Sequence, residues 1–137
     1  MSRQLSLIDY PCDTDGHIHE PEKAVILSSF IPNEIFDEFD RLGIFESFHL
    51  FEDQNFEEFS EQKRIKDDQI DVALRFTEAI FVRLLSSARA TQAQEIQSDD
   101  EIEKLILEFN AITGIYRVLK LKRDKFSGIA AAIIKLG

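Results

Sequence analysis

One run of the chain has the residue types of a metal site. In "DGHIHEPE" (residues 15–22), His17 and His19 stand two apart, with Glu20 and Glu22 close behind. Imidazole and carboxylate together make a donor set that zinc or manganese accepts. His17 and His19 are therefore the metal candidates, and a metal-dependent enzyme built on them is one functional reading. Further ligands are scarce, since His49 and Cys12 are the other soft donors. A solvated polar turn accounts for the same residues, and no metal or other cofactor is expected. Asp13, Asp15 and Gly16 have calcium-loop residue types, but the glycine and the closing glutamate fall out of register. Cys12 follows Pro11 with no neighbouring cation to favour a thiolate. Acid pairs such as Glu57–Glu58 and Asp67–Asp68 come cheaply in an acidic chain and do not define a general acid–base pair. There is no Gly-rich phosphate loop and no Gly-x-Ser-x-Gly elbow. The chemistry-bearing residues point away from an enzyme.

The His-x-His pair resembles the first-strand metal motif of amidohydrolase-type barrels over four or five residues. Such a barrel needs roughly 200 residues or more, and these 137 residues do not supply them.

A second run carries binding chemistry. "FDEFDRLGIFESFHLFEDQNFEEF" (residues 36–59) holds seven of the twelve Phe residues, interleaved with Asp and Glu. Most of these rings are expected in the core, because a buried Phe removes a large apolar area from water. One or two left exposed inside an acidic rim would suit a basic protein surface, with rings as anchors and carboxylates steering the approach. The expected partner-binding set is Phe48, Phe51 and Phe56 as anchors, with Glu46, Glu52, Asp53, Glu57 and Glu58 around them.

The charge layout favours the same reading. Net charge is −10, with residues 1–62 carrying −12 and residues 63–137 carrying +2. Such asymmetry suits a basic partner or pairing between copies. Direct nucleic-acid binding by the acidic half is disfavoured, since phosphates would be repelled. The cations Lys120, Lys122, Arg123 and Lys125 read as a charged helix end rather than a phosphate footprint. The single cysteine excludes an internal disulfide and fits a reducing compartment. The longest apolar run, "IAAAII" at 129–134, is far below the roughly 18 residues of a spanning helix. The expectation is a soluble, cytoplasmic chain without membrane contact.

The elements that must position these residues read as follows. At 137 residues the chain is expected to be one domain. Five Gly and three Pro leave little turn chemistry, which favours helices over a many-stranded fold. The expected class is all-α: a single bundle of four to six helices over 21–137, with 1–20 an extended arm or short strand. Pro32 opens a helix with Ile35, Phe36, Phe39 and Leu42 on one face, stopped by Gly43. A further helix is expected near Ile44. "SEQKRIKDD" (60–68) reads as a hinge or exposed turn, with Asp67 or Asp68 capping the next helix. Residues 69–90 have a very wide apolar arc, including Val72, Phe76, Ile80, Phe81, Leu84 and Leu85, as for a central helix. Ser98 to Glu101 has the form of a capping box before a long apolar stripe. A last short helix is expected over 126–136, and "AVILSSF" (24–30) is ambiguous, with helix preferred over strand.

The functional expectation is a small acidic, non-enzymatic binding module. It would dock on a basic protein as an inhibitor or immunity-type protein of a nuclease or other nucleic-acid-binding partner. The alternative from a different class is a self-assembling homodimer in which the acidic half of one copy meets the basic strip of another.

Overall fold

The computed structural model describes residues 2–10, 24–50, 62–94 and 98–137. The chain is not an all-α bundle. It forms a five-stranded, wholly antiparallel sheet with two long helices stacked on one face. The strands are β1 (Ser2–Asp9), β2 (Ala24–Pro32), β3 (Phe48–Leu50), β4 (Lys63–Ile65) and β5 (Ala132–Leu136), and their spatial order is β2-β1-β5-β4-β3. The helices are α1 (Asn33–Arg41), α2 (Ile70–Gln92) and α3 (Asp99–Lys125). A 3-10 turn at Asp67–Gln69 leads into α2.

Three expected helices are strands, and each has a physical reason. β5 is the middle strand of the sheet, and Ala132, Ile133, Ile134 and Leu136 are all buried. A strand covered on both faces reads as an unbroken apolar run, so its period does not separate it from a buried helix. β2 pairs along its length with β1, from Ser2↔Pro32 to Asp9↔Ala24, with one register shift that leaves Ile26 as the extra residue. Its branched residues suit that pairing. After Gly43 the chain runs through a turn into β3 rather than into a helix. The expected hinge at 60–68 contains β4, whose Ile65 faces inward beside Ile134.

Other expectations hold. β1 is a strand, and Pro32 precedes α1, which buries Ile35, Phe36 and Phe39. Gly43 has φ 94°, the left-handed conformation that ends the helix. α3 begins at Asp99 as the capping-box pattern implies, but no Ser98 side-chain bond caps it. Instead the Ser98 carbonyl accepts the first backbone bond from Ile102.

α3 lies across β2, β1 and β5, and α2 packs on α3. Leu5, Leu7, Ile31, Ile134 and Leu136 from the sheet meet Ala111, Ile112, Ile115, Val118 and Leu119 of α3 in a single core. The close approach of α3 to β2 depends on Gly114, whose missing side chain leaves room for Ser29. None of the described helices is long and apolar enough to cross a membrane.

Candidate protein-docking surface

Both features expected to bind a partner are partly used by the fold itself. Phe48 is buried, edge-on to Phe45 at 5.7 Å, and Phe45 stacks on Phe36 at 4.7 Å. The Arg3 guanidinium lies over the Phe36 ring at 4.6 Å. The rings of Phe36, Phe39, Phe45 and Phe48 are therefore core. Glu46 is exposed beside them. Phe51, Glu52, Asp53, Phe56, Glu57 and Glu58 lie outside the described residues, as do His17, His19 and Cys12.

One member of the basic strip, Lys122, is structural, while Lys120, Arg123 and Lys125 are exposed. Lys122 is only 3% exposed. Its ammonium donates to the carbonyls of Phe126 (2.8 Å) and Ile129 (2.9 Å) and sits 3.2 Å from Asp67 Oδ1. Those three acceptors match the three donors of a lysine. Asp67 Oδ2 accepts a bond from the Gly128 backbone N–H at 2.9 Å. Asp67 thus ties the turn before β5 to the start of α2 rather than capping that helix. Arg123 pairs with Asp124 (2.9 Å) and reaches Asp71 (3.7 Å), and Lys120 lies over the Tyr116 ring at 5.5 Å. Arg123 thus links the end of α3 to the start of α2.

The surface that stands out runs along the seam of the α2–α3 hairpin. Contacts of Asp71 with Arg123 and of Phe81 with Phe109 show that the helices run antiparallel. Between them lies a groove of about 500 Å³ lined by Thr77, Glu78, Phe81, Val82, Ile112, Thr113 and Tyr116. Phe81 stands edge-on to Phe109 at 5.8 Å. Val82 is 61% exposed, and Leu85 and Ile106 are also exposed. The reason is local. α2 carries an apolar arc too wide for one neighbour, and α3 is the only described helix packed along its length. Ala73, Ile80 and Leu84 turn inward, so Phe81 and Leu85 are left at the margin. The wide arc was visible in the sequence as a core signal, but nothing local showed that one side of it would lack a cover.

Glu108 is the buried acid of this helix pair, 6% exposed. Desolvation, followed by the charge of Glu38, holds its pKa above the ordinary carboxylate value, and Lys104 offsets part of that. Lys104 itself reaches Glu38 at 3.7 Å. A raised folded-state pKa means the native protein binds this proton more tightly than the unfolded chain. Ionisation therefore costs stability as pH rises above 4.5. Glu108→Gln is expected to raise the melting temperature at pH 7, with the gain fading to nothing below pH 4.5. A lower melting temperature at pH 7 would mean that attraction to Lys104 outweighs burial.

No group of three or more His, Cys, Asp or Glu side chains is placed to hold a metal among the described residues. No family model matches the chain, and no curated protein or solved structure is similar to it.

Proposed function

We propose that this protein is a non-enzymatic binding module that docks on a basic protein through the groove between α2 and α3. The observation that carries this reading is the apolar groove around Phe81, Val82 and Tyr116, left open to solvent in a chain of net charge −10. Contiguous exposed apolar surface of this kind marks interaction sites. Branched and aromatic anchors supply the affinity, and the overall negative field raises the encounter rate with a positive partner. The anchoring role first given to Phe48 passes to Phe81 and Val82, because Phe48 is spent on the core. The same chemistry suits an inhibitor or immunity-type protein that covers the basic surface of a nuclease or other nucleic-acid-binding protein.

The test is a two-protein binding measurement with the partner that co-purifies from the native cell at physiological salt. That partner is expected to be basic, and its affinity should fall as salt rises. Val82→Arg places a like charge in a hot-spot position and should weaken binding about 30-fold or more. Unchanged affinity in this variant, with its circular dichroism intact, would remove the groove from the account.

A further inference from the structure

The two edges of the sheet differ. β3 is three residues long, and shortness is a common protection for an edge strand. β2 is nine residues, "AVILSSFIP", with no charged residue and its single proline at the very end. Among the described residues no strand lies on its outer side. Phe30 is 67% and Val25 56% exposed along it. Its one irregularity, the extra residue at Ile26, leaves 27–32 as a regular run. An edge of this kind is a template for adding another strand.

The surfaces beside this edge say which strand. At the Pro32 end, a cleft is lined by Glu34, Glu38, Asp100 and Glu103, with Lys104 and an apolar floor of Ile35 and Leu107. Near Leu27, toward the other end, a groove is lined by Arg117, Lys120 and Lys125, with Asp124. One end of the edge is thus flanked by acids and the other by bases. Helix-terminus electrostatics explains the charges in the first and last turns of α3 and Glu34 in the first turn of α1, but not Glu38 on α1, nor Arg117 two turns before the end of α3.

We infer that β2 pairs antiparallel with β2 of a second copy about a two-fold axis near Ser29, giving a continuous ten-stranded sheet. Antiparallel pairing sets the Pro32 end of each strand beside the Leu27 end of the other. Each acidic cleft then faces the partner's basic groove, and both contacts form at once because the interface is isologous. A parallel arrangement would turn one sheet over and bring neither acidic cleft to a basic groove. Tyr116 lines both this basic groove and the hairpin groove, so the charge reversal and β2 protection test the dimer, while Val82→Arg tests the docking module.

Sedimentation of the full chain at low salt should give about twice the monomer mass of 15.8 kDa. The reversal Asp100→Lys/Glu103→Lys should raise the dissociation constant at least tenfold, and adding Arg117→Glu/Lys120→Glu should restore it. All four side chains are exposed, so folding is not at stake. Hydrogen exchange on the unaltered chain is the second measurement, with β2 amides on the outer edge more protected at high than at low protein concentration. A monomer at all concentrations, a dimer indifferent to the reversal, or β2 edge amides unprotected in the dimer would each overturn the inference.

Discussion

Lys122→Met should destabilise the protein by about 3 kcal/mol, read as a lower urea midpoint with an unchanged slope. The methionine keeps the volume of the lysine stem in a site only 3% exposed, so the cavity cost is small. What is lost is the ammonium that serves the Phe126 and Ile129 carbonyls and Asp67. Leaving buried acceptors without a donor costs roughly 1–3 kcal/mol each. The position magnifies the loss. Those carbonyls belong to the turn that carries the chain from α3 into β5, the middle strand, so the damage spreads through the sheet. Asp67→Asn should cost less, about 1 kcal/mol, because that carboxylate is partly exposed and the carbonyl bonds remain. A Lys122→Met protein as stable as the parent would show that this cluster does not hold the turn.

Gly114→Val should cost a similar amount, about 3 kcal/mol, by overpacking. A side chain here would collide with the Ser29 hydroxyl and come within 2.8 Å of Ser29 Cβ. The hydroxyl can rotate away, but Cβ is fixed to the backbone of β2, so α3 must lift from the sheet. Gly114→Ala should cost less, because the same clash is offset by about 1 kcal/mol of better helix propensity. Ser29→Gly in the Gly114→Val background should recover at least half of the loss. A double-mutant cycle by denaturant titration measures that coupling directly. Additive single effects would mean that the helix and strand are not in contact at this point.

The helices were legible in the sequence and most of the sheet was not. α1 declared itself through Pro32, the Ile35–Phe36–Phe39 face and Gly43, and α3 through its acidic first turn and apolar stripe. These signals are local. β5 gave no local signal, because the run of Ala130, Ala131 and Ala132 between Ile129 and Ile133 that leads into it favours a helix as readily as a two-sided buried strand. β4, "KRI", has a single buried residue and exists because β5 and β3 flank it. The open hairpin groove was hidden for a related reason. Phe81 and Leu85 look like core until the fold shows what covers them. Val82 was not among the residues of the wide apolar arc of α2, yet it is 61% exposed beside them. Lys122 ran the other way, since a lysine in a cationic run gives no hint that it is buried under a turn.

The most direct test of the docking reading places a photoreactive side chain at position 82 and irradiates the native cell. The predicted product is a covalent adduct between the hairpin groove and a second protein of high isoelectric point, lost when Tyr116 and Phe81 are replaced by serine. Adducts only with another copy of this chain, or with an unselected mixture of proteins unaffected by those replacements, would contradict it.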